Sequence, residues 1–326
     1  MERLNSRNRK NMRKGILIPL LLLLSCSALA QQEPAFSQYF FNLLNINPAY
    51  AGTRDYFSGT LITRNQWVGM DGGPTTQSLG VHMALPKTNT GLGLQLYNDV
   101  AGPVKTTGLS ATYAYRILVN PNTHISFGIT GSLAGLSLSG SEIHINNQYD
   151  KAFSTTNSSA LVPDADFGVY LYKSNLFLGA SMTHLLQSNF RINDAAGSHS
   201  AKYYRNYYFT AGFVKSISDA VSFRPTAQFK YVASAPLVGE LDACFIFHDK
   251  FFAGLGLRSS KRINITGTDN ILVGILELEF LRNYRIGYSY DYYLNQSSIY
   301  NGGTHEIMLG WDVSRHLTRL ENPRYF

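Results

Sequence analysis

From Phe57 onward, large apolar residues alternate with small or polar residues along most of the sequence. Within residues 107–117, the odd positions from Leu109 onward are Leu, Ala, Tyr, Tyr and Ile, whereas the even positions are Gly, Ser, Thr, Ala and Arg. Residues 91–96 and 284–291 alternate in the same way. Because successive side chains of a β-strand point to opposite faces, this period of two predicts strands whose two faces have different surroundings.

The composition of the two faces indicates what those surroundings are. A soluble sandwich would place Lys and Glu on its polar face, but charged residues make up only 15% of this chain, and Gly, Ser and Thr occupy that face instead. The apolar face carries Leu, Ile and Ala in mid-strand and Tyr and Phe nearer the ends, as in barrels whose outer wall contacts lipid. No apolar run of about 18 residues follows position 30, which argues against membrane-spanning helices. We therefore predict an all-β fold, a closed transmembrane barrel that satisfies its backbone groups within the membrane.

Turn residues divide the chain into about fourteen candidate strands, an even number, as is usual for single-chain bacterial barrels. The predicted antiparallel strands lie near 57–65, 75–85, 90–98, 106–118, 123–135, 164–172, 175–184, 204–215, 219–231, 238–248, 250–259, 269–280, 282–293 and 304–313. Residues 136–163 and 187–203 are long and rich in Ser, Asn, His and Asp, so we expect both to be surface loops. Loops of this kind commonly carry recognition.

The first 30 residues have the pattern of a secretory signal peptide. Basic residues precede an apolar stretch at 16–24, and small residues then lead to Ala30. We expect cleavage after Ala30 and export to the outer membrane; the alternative is a lipoprotein signal that leaves a lipidated Cys26 at the N-terminus. Removal of residues 1–30 takes away six of the 28 basic residues and one of the 21 acidic residues, so the rest of the chain is close to neutral. The basicity of the full sequence is therefore no argument for nucleic-acid binding.

The remaining sequence divides into three parts without a linker. Residues 31–56 begin with an aromatic-rich stretch, and we expect them to form a short plug or a periplasmic segment. Residues 57–313 form the predicted barrel, and residues 314–326 form a C-terminal tail. Cys244 is the only cysteine after residue 30, and its apolar neighbours predict a packed side chain rather than a nucleophile.

The sequence contains no pattern typical of an enzyme, a cofactor site or a metal site. It has no H-E-x-x-H, no G-x-S-x-G, no P-loop and no C-x-x-C, and its His residues are scattered. We interpret His305-Glu306 as a polar pair at the end of a strand, and Asp71-Gly72-Gly73-Pro74 as a turn rather than a calcium loop. The sequence therefore predicts no cofactor, no metal and no enzymatic activity.

A series of short motifs follows the chain in order over most of its length. It comprises Pro34-Ala35-Phe36-Ser37-Gln38-Tyr39, Asn47-Pro48-Ala49-Tyr50-Ala51-Gly52, Gln66-Trp67-Val68-Gly69-Met70-Asp71-Gly72-Gly73-Pro74, Thr76-Gln77-Ser78, Asn98-Asp99-Val100-Ala101-Gly102-Pro103, Tyr113-Ala114-Tyr115-Arg116, Thr183-His184-Leu185-Leu186, Arg285-Ile286-Gly287-Tyr288-Ser289-Tyr290-Asp291-Tyr292 and His305-Glu306-Ile307-Met308-Leu309-Gly310. The series resembles the PorP/SprF family, and the motifs that begin at Gln66 and His305 are the specific ones.

The resemblance implies an outer-membrane barrel of the type IX secretion system and of gliding motility. It implies a fold similar to the long-chain fatty-acid channels, which also have fourteen strands and an N-terminal plug. The implied partners are the periplasmic PorK/PorN ring, the peptidoglycan-binding lipoprotein PorE, a large secreted surface adhesin and outer-membrane lipid. The family has no catalytic residues to transfer, so its motif positions are structural or recognition candidates: Asn47, Pro48, Tyr50, Gln66, Trp67, Asp71, Gly72, Pro74, Gln77, Arg285, Tyr288, Asp291, His305 and Glu306.

The residues alone leave the function of the lumen open. A lumen lined by Gly, Ser and Thr fits a docking accessory whose barrel is filled, and it equally fits a channel for small solutes; an enzyme on the barrel wall is a third hypothesis. We interpret Arg116, Arg285 and Asp291 as inward ion pairs that hold a plug, with a selectivity filter as the alternative. Trp67 and Trp311 are interpreted as anchors at the membrane interfaces.

Overall fold

The computed structural model describes residues 35–54, 56–85, 87–139, 158–194, 197–233, 235–261, 268–281, 283–295 and 301–313. Within these ranges, three short 3-10 turns are followed by strands. The turns are Tyr39–Phe41, Leu43–Asn45 and Pro48–Tyr50, and the strands are β1 (Phe57–Asn65), β2 (Thr75–Ala84), β3 (Thr90–Ala101), β4 (Val104–Asn120), β5 (Thr123–Leu138), β6 (Ser158–Lys173), β7 (Leu176–Thr183), β8 (Asn189–Asp194), β9 (Gly197–Lys202), β10 (Asn206–Phe213), β11 (Lys215–Ser216), β12 (Val221–Val232), β13 (Leu237–Phe247), β14 (Phe251–Lys261), β15 (Thr268–Phe280), β16 (Tyr284–Tyr293) and β17 (Thr304–Val313). None of the helical turns in the described ranges is long and apolar enough to cross a membrane.

Fourteen of these strands form one closed antiparallel barrel. Each strand from β1 to β7 pairs with the next, β7 pairs with β10, β10 pairs with β12, and each strand from β12 to β17 again pairs with the next. The ring closes because β1 pairs along its whole length with β17, from Phe57 opposite Val313 to Asn65 opposite His305. The predicted all-β barrel of about fourteen strands is confirmed.

The two long loops of the prediction are shorter in the structure than the sequence suggested. β5 continues to Leu138 and β6 already begins at Ser158, so strand pairing takes up both ends of the predicted loop 136–163; its centre, 140–157, lies outside the described residues. The predicted loop 187–203 contains β8 and β9, which pair as a two-stranded hairpin. Outside the part of the barrel that contacts the hydrocarbon region of the membrane, strands do not need a large apolar residue at every second position. The alternation that indicates a strand in the sequence is therefore absent there.

The alternation of the sequence corresponds to the two faces of the barrel wall. In β3, Leu92, Leu94 and Leu96 are exposed on the outside, whereas Gly91 and Gly93 are buried on the inside. The even positions of β16 from 284 to 288 likewise face outward, and its odd positions are buried. A continuous apolar outer face of this kind would be unstable in water, and it fits the hydrocarbon region of a membrane.

The two ends of the barrel differ in the length of their connections. One end has the short turns after β2, β4, β6, β13 and β15, together with residues 214–220 before β12. The other end has the longer connections, including 66–74 and 184–205. Bacterial barrels have short periplasmic turns and longer extracellular loops, so we name the two ends the inner end and the outer end.

Residues 35–54, named the strap here, form the core of the molecule inside the barrel. The side chains of its three 3-10 turns are almost all buried, and they pack against inward residues from both halves of the wall. The strap passes from Ser37, beside the outer parts of β1 and β17, to Arg54, beside the inner end of β17. Of the two locations that the sequence allowed for this segment, the described residues lie in the lumen.

Candidate functional site

The candidate site is the contact between the strap and the inner wall of the barrel. Where the strap backbone comes closest, the wall residue is glycine. A Cβ atom at Gly128 would overlap the backbone of Pro48 and Ala49, and a Cβ atom at Gly91 would overlap the carbonyl of Ala51. The small inward residues, which by composition fitted a filled barrel and a channel equally, here make room for the strap.

Asn47 connects the last turn of the strap to the wall. Its side-chain Oδ1 accepts a hydrogen bond of 3.0 Å from the backbone N–H of Ala49, which caps the turn at Pro48–Tyr50. Its Nδ2 donates to the carbonyl of Val169 in β6 at 3.1 Å. A side chain at Gly168 would overlap the Asn47 amide. Asn47 is thus held by its own turn on one side and by the wall on the other.

The outer part of the strap is held by two carboxylates. The backbone N–H groups of Ser37 and Gln38 donate to the two oxygens of Glu306 at 3.0 and 2.9 Å. The Ser37 hydroxyl donates to Asp291 Oδ1 at 2.6 Å. Both carboxylates are fully buried. Hydrogen bonds to ionised groups are stronger than those between neutral groups, so this contact fixes the position of the strap.

Two arginines neutralise these carboxylates. Arg64 lies 2.7 Å from Asp291 and 3.0 Å from Glu306, and Arg258 lies 3.1 Å from Asp291 and 2.7 Å from Glu240. Both guanidinium groups also donate to the Ser37 hydroxyl. We name these five wall residues the clamp: Arg64, Glu240, Arg258, Asp291 and Glu306. Within the clamp each buried charge has an opposite partner, which offsets the free-energy cost of removing it from water.

Aromatic residues hold the middle of the strap. The Arg224 guanidinium lies 4.2 Å from the ring centre of Phe40 and 4.9 Å from that of Phe41, and it also contacts the ring of Phe252. Cation–π contacts of this kind strengthen when water is excluded, and Arg224 is fully buried. The strap and the wall are therefore joined here by stacking.

Tyr39 adds a polar contact at the same level of the lumen. Its phenol donates a hydrogen bond of 3.0 Å to Asp242 in β13, and both side chains are buried.

The inner end of the strap carries a charge of its own. Arg54 forms an ion pair of 3.2 Å with Asp312 in β17 and donates to the Ser58 hydroxyl. Arg285 approaches the same Asp312 oxygen at 3.5 Å. At the outer end, the strap contributes neutral hydrogen-bond donors to charged groups of the wall. At the inner end, it contributes the cation of a buried ion pair.

The structure separates the sequence-derived candidates into three groups. The first group lies buried in the lumen: Asn47, Pro48, Tyr50, Arg285, Asp291 and Glu306. The second lies in the connection at the outer end: Gln66, Trp67, Asp71, Gly72 and Pro74. The third points outward from the wall: Gln77, Tyr288 and His305. Ala30 lies outside the described residues.

Residues 66–74 are linked by backbone hydrogen bonds to the connections on both sides. Val68 exchanges two bonds with the 301–303 segment, from its N–H to Gly303 O at 3.0 Å and from Gly302 N–H to its carbonyl at 2.6 Å. On the other side, Gly102 N–H donates to Gly72 O at 3.1 Å. Positive φ angles at Trp67 and Gly72 allow the tight path between these bonds. The Q-W-V-G-M-D-G-G-P motif thus forms a braced rim at the outer end.

His305 and Glu306 point to opposite faces of β17. Glu306 faces the lumen, whereas His305 Nδ1 lies 2.7 Å from the Tyr288 hydroxyl on the outer face. The two side chains therefore do not face each other. Among the residues that the structure describes, no group of His, Cys, Asp and Glu could hold a metal ion.

Most residues of the clamp were not among the candidates that the sequence indicated. Of its five members, only Asp291 and Glu306 were among the candidates, and Ser37 was not singled out beyond its motif. The sequence did contain an indication of these residues. Arg64, Glu240 and Arg258 all occupy inward positions in strands whose residues alternate between an apolar and a small or polar face. A charged residue at such a position needs a partner within the lumen.

A cavity of about 30 Å³ lies beside the strap near the outer end, next to Ala35, Phe36, Tyr39, Lys230, Glu240 and Arg258. A cavity of that size has room for about two water molecules.

A sequence model of one protein family, described as "Type IX secretion system membrane protein PorP/SprF", matches residues 28–311. A search of curated proteins finds no significant match.

Solved structures that share the fold at low sequence identity include the following three barrels. A FadL homologue of Pseudomonas aeruginosa is 12% identical, with a TM-score of 0.50 over 82% of this chain and 92% of that chain. The toluene transporter TbuX of Ralstonia pickettii is 9% identical, with a TM-score of 0.52 over 84% and 93%. CymD, a monoaromatic hydrocarbon channel, is 11% identical, with a TM-score of 0.52 over 85% and 93%. At these identities the similarity shows the fold alone.

Proposed function

This chain belongs to the PorP/SprF family of type IX secretion system membrane proteins, and from that premise we propose that it is an accessory of secretion that docks other proteins at the two ends of its barrel. The family and the fold establish an outer-membrane barrel with a role in type IX secretion. The proposal adds that the role is one of binding. The inner end holds periplasmic components, and the outer end helps to export or anchor a large surface protein such as an adhesin.

The observation that carries the proposal is the strap inside the barrel. A docking protein needs a rigid wall and stable ends, but it does not need an open path through its lumen. The clamp, the stacking on Arg224 and the glycine contacts near Asn47 together rigidify the wall. The strap runs through the lumen from the outer end to the inner end, and the side chains of its three 3-10 turns are almost all buried.

The two ends suit different partners. At the outer end, residues 66–74 form a braced rim on which Val68, Met70 and Asp71 are exposed. A rigid surface with mixed apolar and polar groups loses little entropy when it binds, which favours recognition of a large folded client. At the inner end, exposed Lys87 and Lys250 lie in short turns, and exposed Lys173 and Lys215 lie in β6 and β11 next to such turns.

The proposed periplasmic partners are the PorK/PorN ring and the lipoprotein PorE, which attaches to peptidoglycan. The proposed client is one large surface adhesin, with a role in gliding motility. Export of the chain itself is proposed to depend on a signal peptide cleaved after Ala30. We propose no enzymatic activity, in keeping with a family and a barrel fold that indicate secretion or transport.

A channel for small solutes is the second candidate function. It is favoured by the barrels of similar fold, of which one is described as a toluene transporter and another as a monoaromatic hydrocarbon channel. For this chain, such a function requires that the strap leave part of the lumen.

The proposal is tested by affinity purification of the tagged full-length protein from outer membranes in mild detergent, followed by mass spectrometry. We expect recovery of the ring proteins, the lipoprotein and one large surface protein. As matched controls, Met70→Asp should release the surface protein alone, whereas Lys250→Glu combined with Lys215→Glu should weaken the periplasmic partners alone. A solitary barrel, even after chemical crosslinking, would contradict docking and favour the channel.

A further inference from the structure

Three of the motif residues point outward from the wall and take no part in holding the strap. They are Gln77, Tyr288 and His305. The strand pairing brings them close together, because β16, β17, β1 and β2 are consecutive neighbours in the ring. His305 lies opposite Asn65 in β1, and Gln77 lies opposite Thr63 two residues further along the same strand face. The three motif residues therefore belong to one area of the outer wall.

This area consists of uncharged polar and aromatic groups. We name six of its outward residues the polar patch: Thr63, Asn65, Gln77, Asn98, Tyr288 and His305. Within the parts of β16, β17, β1, β2 and β3 that the structure describes, no outward position holds Lys, Arg, Asp or Glu. The same end of the barrel does carry exposed charges elsewhere, at Lys105 in β4 and at Arg205 before β10.

The aromatic part of the polar patch is held in place by neighbouring groups. His305 Nδ1 lies 2.7 Å from the Tyr288 hydroxyl. The ring centre of His305 also lies 5.0 Å from that of Tyr290, whose hydroxyl donates to the carbonyl of Gly302 at 3.1 Å. An aromatic anchor at a membrane interface needs only an amphipathic ring, not such a fixed pair. Side chains that are already fixed lose little entropy when they bind a ligand.

The polar patch borders directly on the surface that faces lipid. Towards the inner end, the next outward residues of β1, β2 and β3 are Leu61, Leu79 and Leu96, which lie opposite one another. A ligand that covers the patch therefore meets hydrocarbon on one side and the aqueous boundary on the other.

The chemistry of the polar patch suits a sugar. Sugar hydroxyl groups both donate and accept hydrogen bonds, as the amides, the hydroxyls and the imidazole of the patch require. The apolar C–H face of a sugar ring can pack on an aromatic side chain. A phospholipid head group brings a phosphate instead, which is bound most strongly by Arg or Lys, and the patch contains neither.

We propose that the polar patch binds the sugar head group of a glycolipid in the outer leaflet, with the acyl chains against Leu61, Leu79 and Leu96. The continuity between the patch and the lipid-facing leucines favours a membrane lipid over a soluble ligand. This inference does not depend on the proposed docking function, because lipid retention and recovery of partner proteins are separate measurements.

The test measures which lipids the full-length protein retains, by native mass spectrometry after release from phosphatidylcholine nanodiscs. The nanodiscs contain equal minor fractions of digalactosyldiacylglycerol, a neutral glycolipid, and of phosphatidylglycerol, which has a phosphate but no sugar. We expect the glycolipid to be retained in preference to both phospholipids. Retention in proportion to the nanodisc composition, or preference for phosphatidylglycerol, would overturn the proposal.

Two substitutions test whether the polar patch is the site. Gln77→Leu removes the amide, and His305→Phe keeps an aromatic ring but removes the imidazole nitrogens. Loss of a hydrogen bond changes an equilibrium about two- to tenfold, so each should lower the ratio of bound glycolipid to bound phosphatidylcholine by that factor. The matched controls are Asn270→Leu in β15 and Tyr231→Phe in β12, at outward positions near the outer end but outside the patch. An equal loss in the controls would place the retained glycolipid elsewhere and contradict the proposal.

A soluble competitor distinguishes a membrane lipid from a free glycan. Digalactosylglycerol has the same sugars without acyl chains, and it should leave the bound glycolipid in place. Displacement would show that the patch recognises a soluble glycan, and the glycolipid would be the wrong ligand. Heat-modifiable migration on gels confirms that each variant is folded, and the single variants decide the question if their combination does not fold.

Discussion

Arg64 and Glu306 lie directly opposite each other across the seam where the first and last strands of the barrel pair. Their side chains meet inside the lumen, with Arg64 Nη1 3.0 Å from Glu306 Oε2. The same Glu306 carboxylate accepts the backbone N–H groups of Ser37 and Gln38. One buried residue thus connects the closing seam of the barrel to the strap inside it.

Glu306→Gln should destabilise the folded barrel strongly. The amide keeps the shape of the side chain, but its NH2 group cannot accept from the N–H of Ser37 or Gln38, and a buried donor left without an acceptor costs about 1–3 kcal/mol. We expect a lower melting temperature in detergent, measured from the heat-modifiable gel shift. Asp219→Asn, an acid-to-amide change at an exposed position between β11 and β12, serves as the control and should leave the melting temperature unchanged.

Gly128→Ala should destabilise the protein, and Gly131→Ala should not. Both residues lie in β5, but a Cβ atom at Gly128 would overlap the strap backbone at Pro48 and Ala49, whereas nothing lies within 4 Å of a Cβ atom at Gly131. Overpacking of a filled interior costs about 1–3 kcal/mol. The free energy of unfolding in urea, measured for the two variants side by side, tests this difference. Equal free energies of unfolding for the two variants would show that the strap does not pack against β5.

Arg224→Lys should weaken the contact between the wall and the middle of the strap. The substitution keeps the positive charge but removes the planar guanidinium that stacks on Phe40 and Phe41. We expect a loss of about 1–2 kcal/mol in the free energy of unfolding. Arg205→Lys, at an exposed position in an outer connection, is the matched control. A similar loss in both variants would mean that the stacking contributes nothing specific.

The orientation of the barrel predicts which positions can be labelled on living cells. A cysteine at Val68 lies at the outer end and should react with an impermeant maleimide on intact cells. A cysteine at Lys250 lies in a short turn at the inner end and should react only after the outer membrane is permeabilised. Reaction of the Lys250→Cys variant on intact cells would show that the barrel has the opposite orientation in the membrane.

The sequence predicted the barrel well because the membrane imposes one rule on every strand. In β4, Leu109, Tyr113 and Ile117 face lipid, and this requirement places apolar residues at every second position of the strand. The start of β6 at Ser158 was missed because residues 158–163, Ser-Ser-Ala-Leu-Val-Pro, do not show the alternation of apolar with small or polar residues. Pairing alone, with β5, makes them a strand.

The clamp could not be predicted in the same way. Arg64 and Glu306 are 242 positions apart, and they meet only because the ring closes between β1 and β17 with a particular register. The sequence shows a charge at an inward position but not which partner lies across the lumen. Ser37 carries still less signal, because a serine in an irregular segment has many ordinary functions.

The seam also sets an order of assembly. The strap precedes β1 in the chain, yet its outer contacts include residues of β14, β16 and β17, which are synthesised last. The hydrogen bonds to Glu306 can form only once β17 is in place, and β17 is also the strand that closes the ring against β1. The final strand therefore completes both the wall and the outer attachment of the strap.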